Sequence, residues 1–338
     1  MVKVLSLWRD YSDMVRMNAL YYQEKALGKK MELKIARDHR SVRERLGRAR
    51  KNLNETVETI MPDADWVILS GMGFNPPKKR DYKIALFLAD IHCARSLKLS
   101  PQELCKYLNK KTFDAYLMHY TKLAYQAIPT FKPIEHDYYL THLKGPKLHF
   151  APALDPSYSY PSDKPKKYDV AFLARAHEYV HALRYKIMTG LPKLARNNGW
   201  KVIIRERPPG RTGQRSIKKM LKKGYIVGQK YNETLARSKA FIFGLGLFKY
   251  PALKFVEGMS TRTCVFSDPP LTAKSLHYIP DWNFVRINGS NWRRKLKYYL
   301  RHDEEREEIA ENGYQTFMKY HTVDVRAGQL ARFLEKHK

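Results

Sequence analysis

The stretch KYPALKFVEGMSTRTCVFSD, residues 249–268, sets the pattern on which the predicted fold rests. Apolar and small residues recur at helical spacing over 251–259, and an apolar run bounded by polar residues follows at Thr263–Ser267. The preceding stretch GYIVGQKYNETLARSKAFIF, residues 224–243, alternates in the same way, with strand-like runs on either side of a helix over 231–238. Helices that alternate with short buried strands are typical of a parallel sheet covered by helices.

The same alternation extends over the chain in two blocks. Further strand candidates are Trp66–Leu69, Ile84–Leu88, Ala115–Met118 and Leu148–Ala151 in the first block, and Asp169–Leu173, Lys201–Arg205, Tyr225–Val227, Ala240–Phe243 and Asn283–Ile287 in the second. The segment DPSYSYPSDKPKK, residues 155–167, is rich in Pro, Ser and Lys, and we interpret it as a linker. The sequence therefore predicts an α/β chain of two Rossmann-like domains, whose ligands bind at the carboxyl ends of the strands.

From Gly224 onwards, this order of elements resembles the donor domain of group 1 glycosyltransferases. The helix that carries Glu257-Gly258-Met259-Ser260 is similar to the donor helix of that family, and the stretch 298–322 is similar to the helix pair that ends its donor domains. The segment PALDPSYSYP, residues 152–161, is similar to the family's segment before the second domain. Within the family, the nearest relatives are those called spore-maturation-protein-like.

This resemblance implies a GT-B fold, in which two Rossmann-like domains face a central cleft. It implies an N-terminal acceptor-binding domain at 1–160, a nucleotide-sugar-binding domain at 161–322, and a terminal helix within 323–338 that packs back on the N-terminal domain. It also implies transfer of a sugar from a nucleotide sugar, such as a UDP-sugar, which is a co-substrate rather than a cofactor.

The resemblance assigns donor-binding roles to residues of the second domain. In the family, the glutamate equivalent to Glu257 accepts hydrogen bonds from the ribose hydroxyls, a task that suits a carboxylate. Lys249 stands where the family usually carries a second, sugar-contacting Glu, and a cation there can meet the diphosphate instead. The other donor-binding candidates, which ordinary turns, strand ends and helix ends also explain, are Gly228, Gln229, Gly244, Gly246, Tyr250, Ser260, Thr261 and Arg205.

Candidate catalytic residues lie at two predicted strand ends. Arg175 follows the strand YDVAFL, where the family places a cation that stabilises the departing diphosphate; Arg205 and Arg207 compete with it for this role. In the first domain, Asp90 and His92 follow ALFLA and can act on an acceptor hydroxyl as a general base or orient it. The alternative is a helix-capping Asp and a partly buried His. In retaining members of the family, the leaving phosphate can take the proton instead.

The sequence predicts no metal site. Asp63-Ala64-Asp65 matches the Asp-x-Asp metal signature of a different glycosyltransferase fold, but it precedes the strand WVILS and lies at the wrong end of the sheet for a ligand. The three cysteines, Cys93, Cys105 and Cys264, are too few and too widely spaced for a zinc site or a disulfide framework. No signal peptide or transmembrane segment is expected, and a cytoplasmic location (that of the host for a viral protein) is the default.

The net charge of +30, from 63 Lys and Arg against 33 Asp and Glu, predicts a polyanionic partner. Basic residues gather at 34–51, 218–223 and 293–301, and the chain has 23 tyrosines on which bases can stack. We expect DNA as the partner and a hydroxylated base in DNA as the acceptor. The residues assigned to nucleic-acid binding are Arg37, Arg40, Arg43, Arg48, Lys218 and Lys222.

Two other hypotheses account for the same charge. The acceptor can be a lipid-linked or cell-surface saccharide, with the basic residues docked on an anionic membrane. That hypothesis predicts a stripe of Leu, Phe or Trp beside basic residues, which the segment 34–51 lacks. Alternatively, the chain is a non-catalytic nucleic-acid-binding protein on a glycosyltransferase scaffold, as the unusual Lys249 suggests.

Overall fold

The computed structural model describes residues 1–7, 25–35, 53–70, 75–88, 99–124, 135–205 and 217–338. The described residues divide into two compact units, of which the second consists of Pro152–Thr322. The first unit contains the described residues before Pro152 together with the C-terminal segment Val323–Lys338.

The first unit is built on a six-stranded parallel sheet. Its strands are β1 (Lys3–Leu7), β2 (Glu32–Ile35), β3 (Trp66–Ser70), β4 (Lys83–Leu88), β5 (Ala115–Met118) and β6 (Lys147–His149), in the order β2-β1-β3-β4-β5-β6. The central strands are nearly continuous apolar runs because both faces of the sheet are covered. The helices before the second unit are α1 (Leu53–Ile60), α2 (Pro101–Asn109) and α3 (Tyr138–His142). A capping box formed by Ser100 and Glu103 starts α2.

The second unit has a five-stranded parallel sheet. Its strands are β7 (Tyr168–Leu173), β8 (Val202–Arg205), β9 (Ser238–Ile242), β10 (Cys264–Ser267) and β11 (Val285–Arg286), in the order β11-β10-β9-β7-β8. Its helices are α4 (Ala182–Arg196), α5 (Ile217–Lys222), α6 (Gln229–Ala236), α7 (Lys254–Ser260), α8 (Trp292–Tyr299) and α9 (Asp303–Tyr320). The strand order reverses between β7 and β9, which places the expected ligand crevice at their carboxyl ends.

Two sequence predictions in this region differ from the structure. The apolar run Tyr225–Val227 is not a strand, because Val227 and Tyr225 pack against Met220 of α5 instead of joining the sheet. The boundary between the units lies at Ala151/Pro152 rather than at 160/161. The intervening segment is tied to the second unit, since Ser159 and Ser260 share a hydroxyl hydrogen bond of 2.7 Å.

The last helix, α10 (Val323–Lys336), belongs to the first unit. The indole nitrogen of the fully buried Trp66 donates a hydrogen bond to the carbonyl of Leu334 (3.1 Å), and Lys83 donates to the carbonyl of His337 (2.7 Å). The helix therefore closes over strands that precede it by more than 200 residues. No helix in the described part of the chain combines the length and the apolar character that a membrane span needs.

Two histidines lie at the carboxyl edge of the first sheet. His119 follows β5, and its Nδ1 atom lies 3.1 Å from the carbonyl oxygen of Phe150. Desolvation lowers the pKa of His119 to about 3 and that of His149, the last residue of β6, to about 4. The proximity of Arg326 from α10 lowers both values further. Both imidazoles are therefore neutral in the native state at physiological pH.

This arrangement predicts a loss of stability in mild acid. The unfolded chain protonates these imidazoles near pH 6.5, whereas the native state resists protonation until about pH 4. Stability that is present above pH 6.5 is thus lost as the pH falls towards 4. We expect the decline in the free energy of unfolding between pH 7 and pH 4.5 to be shallower in His149→Gln by about 2 kcal/mol. Urea unfolding at each pH measures it, with His142→Gln, at an exposed histidine, as the control. Equal slopes in wild type and His149→Gln would contradict this account.

Candidate active site

The loop after β9 packs against the start of α4 at the carboxyl edge of the second sheet. The buried guanidinium of Arg184 donates from Nε to the carbonyl of Gly244 and from Nη1 to the carbonyl of Arg175 (3.3 Å). The Leu247 amide donates to the carbonyl of Val180 (3.0 Å). The chain segments that follow β7 and β9 are therefore held together around the N-terminus of α4, at the point where the strand order reverses.

The close approach of this loop explains the glycines of the Gly-x-Gly sequence. A Cβ atom on Gly244 would lie 2.7 Å from the Cβ of Leu183, which no larger residue can tolerate. A Cβ on Gly246 would lie 3.4 Å from the His181 ring. The two glycines thus let the loop reach the first turn of α4, and Gly244 is required there by packing alone.

The corner formed in this way is strongly positive. Arg175 is exposed, and Arg184 and Lys254 lie nearby. Desolvation, followed by the charges of Arg184, His177, Arg175 and Lys254, lowers the pKa of His181 to about 4. The 15-residue helix α4 begins beside these cations, and no side chain caps its first turn. Free amide groups, the helix dipole and several cations together make a site for an anion.

Glu257 lies beside this corner on α7. Tyr231 donates its hydroxyl hydrogen bond to Oε2 of Glu257 (2.7 Å), and the Lys254 ammonium lies 3.9 Å from the same oxygen. Lys254 also donates to the carbonyl of Leu173 at the end of β7 (2.7 Å). Only 13% of the Glu257 side chain is exposed, so it is not an ordinary surface glutamate. A carboxylate has room for further donors beyond Tyr231, as ribose hydroxyls require.

Lys249 forms an ion pair with Asp268, which follows β10. Oδ1 of Asp268 accepts a hydrogen bond from the Leu245 amide (2.7 Å), and its side chain is 11% exposed, against 42% for Lys249. Lys249 has a left-handed backbone with φ of 49°. The pair therefore fastens both ends of the loop after β9 to the end of β10. Asp268 was not among the sequence predictions, although a carboxylate directly after a buried strand was the available signal.

The structure also places the remaining donor candidates. Ser260 and Thr261 are fully buried at the C-terminal end of α7, where each hydroxyl donates to the Glu257 carbonyl (both 3.1 Å). This burial removes them from contact with a ligand and leaves them as the end of the helix. Gly228 has φ of 61° and starts α6, which explains the glycine. Gln229 is exposed beside a cavity of about 290 Å³ that Tyr160 and Asn232 also line.

Two further candidates flank the corner less directly. Arg205 ends the edge strand β8 and is exposed. Tyr250 is half-buried and stacks on Phe248, with ring centroids 6.4 Å apart. Asp90, His92, Arg207, Arg37, Arg40, Arg43 and Arg48 lie outside the described residues. Lys218 and Lys222 belong to α5, where Lys222 is exposed.

The two aspartates of the turn before β3 form ion pairs with lysines. Asp63 pairs with Lys3, and Asp65 accepts from the Lys3 amide (2.8 Å) and pairs with Lys338 (2.9 Å). These contacts lie at the start of the strands, as expected for a polar turn. Within the described residues, no three His, Cys, Asp or Glu side chains are grouped to hold a metal ion.

The architecture matches known sugar transferases. The family model described as "Glycosyl transferase-like" matches residues 173–332. A sucrose-phosphate synthase from Thermosynechococcus elongatus aligns over 99% of this chain and 98% of its own, with 10% identity and a TM-score of 0.64. HepE from Anabaena, solved with UDP-glucose, aligns over 99% and 100%, with 11% identity and a TM-score of 0.61. AviGT4, a glycosyltransferase of avilamycin A biosynthesis, aligns over 99% and 98%, with 10% identity and a TM-score of 0.59.

The matched residues cover most of the second unit and the first part of α10. The GT-B fold of two Rossmann-like domains that the sequence predicted is confirmed by the structural matches over nearly the whole chain. A search with the sequence finds no match among curated proteins. The unit that the family model largely covers thus contains the positive corner, the Glu257–Tyr231 pair and the loop between β9 and α7.

The two partners in the Lys249–Asp268 pair should contribute unequally to stability. Asp268→Ala removes a largely buried carboxylate and leaves the Leu245 amide unsatisfied, which we expect to lower the free energy of unfolding by about 2–3 kcal/mol. Lys249→Met removes an exposed ammonium from the pair, so the loss should stay below about 1 kcal/mol. Chemical denaturation of both variants and the double variant measures the difference. A larger loss for Lys249→Met than for Asp268→Ala would refute the role given to Asp268.

Proposed function

We propose that this chain transfers a sugar from a nucleotide sugar bound in the second unit to an acceptor hydroxyl, with retention of the anomeric configuration and without a metal ion. The observation that carries this proposal is the convergence of an uncapped helix N-terminus, cations and the Glu257–Tyr231 pair where the strand order reverses. HepE, which shares the fold, was solved with UDP and with UDP-glucose, which supports a donor of this kind. Within group 1, we place the chain nearest to the spore-maturation-protein-like relatives and in the cytoplasm.

In this proposal each part of the donor meets one part of the site. The diphosphate lies at the first turn of α4, near Arg175 and Lys254, where amide groups and cations oppose its charge. Glu257 accepts the ribose hydroxyls while Tyr231 and Lys254 hold its carboxylate in place. The backbone at Gly228 and Gln229 receives the base. Arg205, Tyr250 and the Lys249 ammonium complete the surroundings of the donor.

The chemical step needs little from the protein beyond electrostatics. The bond from the anomeric carbon to the diphosphate oxygen breaks, and a bond from that carbon to the acceptor oxygen forms on the same face of the sugar. The acceptor proton passes to the departing phosphate oxygen. Negative charge grows on the diphosphate during this step, and Arg175 stabilises it together with the start of α4. Asp90 and His92 are proposed to orient the acceptor.

A donor-binding test distinguishes a specific role of Glu257 in donor binding from a general effect of losing a glutamate in the second unit. In a thermal-shift screen of UDP-glucose, ADP-glucose, dTDP-glucose and GDP-mannose, we expect at least one donor to raise the melting temperature. Glu257→Gln should weaken the affinity for that donor about tenfold or more, since a carboxylate loses its charge where two hydroxyls bind. Glu308→Gln, at an exposed glutamate of α9, is the matched control.

Turnover is then measured as transfer or hydrolysis of the same donor, with and without excess EDTA. We expect activity to survive EDTA and to fall strongly in Arg175→Ala. No stabilisation by any donor, together with no donor hydrolysis, would leave the non-catalytic alternative as the better account.

For the acceptor, we propose a hydroxylated base in DNA. The support is the net charge of +30, the 23 tyrosines and the basic segments, of which Lys222 on α5 is exposed. Neutralising phosphates with this many cations gives strong, salt-dependent binding.

One observation favours the lipid-linked or surface saccharide instead. Ile279 and Trp282 are 50% and 46% exposed, and Asp281 between them binds Lys295 of the basic helix α8 (2.7 Å). This is the combination of apolar and basic residues that a membrane surface requires. Tyr298 of α8 donates a hydrogen bond to Glu305, one of the acidic residues at the start of α9. These acidic residues oppose the attraction of α8 to an anionic membrane.

The two acceptors predict different partners in solution. For DNA, we expect binding of duplex DNA at low salt whose affinity falls steeply as salt rises, weakened by Lys222→Glu. For the membrane, Trp282→Ala should reduce sedimentation with phosphatidylglycerol vesicles. Negligible affinity for duplex DNA at low salt would exclude the DNA acceptor. Vesicle binding that is lost in Trp282→Ala would favour the lipid-linked or surface saccharide.

A further inference from the structure

His181 occupies the position immediately before α4, inside the positive corner. Its Nδ1 atom is buried and has no hydrogen-bond partner among the described residues. The side chain does not cap the helix, although His181 is the N-cap residue. Polar atoms that are buried without a partner are uncommon in native proteins, and they call for an explanation such as a ligand.

The surroundings of His181 are positive on every described side. Arg184 lies on α4, Arg175 and His177 lie on the segment after β7, and Lys254 reaches in from α7. The loop after β9 contributes Gly246, which has no side chain to pair with the ring. Within the described residues, no acidic group is among those that shift the pKa of His181. Glu257 and Asp268 are engaged elsewhere, because Glu257 binds Tyr231 and Lys254 and Asp268 binds Lys249. An imidazolium at this place therefore gains an ionic partner only from a bound anion.

An anion at the first turn of α4 changes this balance. The negative charge of a diphosphate opposes the charges of Arg184, Arg175 and Lys254, and its oxygen atoms offer acceptors to an N–H group. Both effects favour the protonated imidazole.

We infer that His181 takes up a proton when the diphosphate of a nucleotide sugar binds at the start of α4, so that donor affinity rises as the pH falls. This inference rests on the proposed function, because it assigns a proton-linked positioning role within the same donor site. By linkage, a site that gains a proton on binding must bind more tightly at lower pH.

The pKa of His181, which desolvation and nearby positive charges lower to about 4, agrees with this geometry. It implies that protons are taken up, rather than released, when the donor binds. Free protein carries the neutral ring at pH 7, and the bound state carries more of the imidazolium. The proton is drawn from solvent and returns to it when the nucleoside diphosphate leaves, so no other reactant is needed.

The probe is the donor that gives the largest thermal shift among UDP-glucose, ADP-glucose, dTDP-glucose and GDP-mannose. Their diphosphates are esterified at both ends and do not titrate near neutral pH, so any proton exchanged belongs to the protein. Calorimetric titration at pH 6 in two buffers of different ionisation enthalpy gives the number of protons taken up per donor bound.

We expect uptake of up to about one proton and an affinity about three- to tenfold higher at pH 5.5 than at pH 7.5. His181→Gln and His181→Asn should bind the donor with no proton uptake and little pH dependence. Their affinity should lie near the wild-type value at pH 7.5, because a neutral amide replaces a neutral imidazole. His302→Gln is the matched control, at an exposed histidine that precedes α9 in the same unit.

The outcomes separate the two proposals. No binding of any donor at any pH contradicts the proposed function and the inference with it. Donor binding without proton uptake, uptake that persists in both His181 variants, or uptake lost in His302→Gln overturns the inference alone. Melting temperatures of the variants without donor show whether the first turn of α4 has been disturbed. Asn and Gln are chosen because they are conservative replacements that keep a polar side chain at residue 181.

Discussion

The contact between the loop after β9 and the first turn of α4 determines the architecture of the second unit's site. Arg184 bridges the carbonyls of Gly244 and Arg175 from a buried position, and Gly244 has no space for a side chain. A buried guanidinium is costly unless its hydrogen bonds are made, so both carbonyls must stay in place for Arg184 to be accommodated. Packing and charge thus fix the same two chain segments, and Glu257 is positioned relative to them through Lys254.

The charges of this corner act against one another. Arg184, Arg175 and Lys254 repel one another, and Glu257 and Asp268 lie close enough to Arg184 to oppose that repulsion. Desolvation and the nearby positive charges keep His181 neutral. Desolvation lowers the pKa of Arg184, although Tyr250, Asp268, Tyr231 and Glu257 raise it in part. In the proposed donor site, the positive charge that these groups leave unbalanced favours a bound anion, as a preorganised anion site requires.

Sequence alone predicted the fold well and the site in part, for identifiable physical reasons. The alternation over 224–268 is a local property, so the α/β architecture could be inferred from it. Glu257 could be proposed from sequence because it lies in a distinctive helix, and its donor role stays a prediction. Arg184, His181 and Asp268 were not proposed because their positions depend on contacts across the sheet that no local pattern contains. For Ser260 and Thr261 the structure favours the helix-end alternative, since burial at a helix end is invisible in sequence. The strand predicted at Tyr225–Val227 was wrong because a buried apolar run can pack on a helix as well as in a sheet.

Lys249 shows how a departure from a family pattern can be absorbed by the structure. The ammonium of Lys249 donates a hydrogen bond to Asp268. A glutamate at residue 249 would place a second carboxylate next to that of Asp268. Two carboxylates so close would repel, and one would have to take up a proton. The presence of Asp268 at the end of β10 therefore makes a cation at residue 249 the consistent choice. In the proposed function, the exchange of an acid for a base changes what the loop would offer to a donor sugar, while the loop itself keeps its attachment to the sheet.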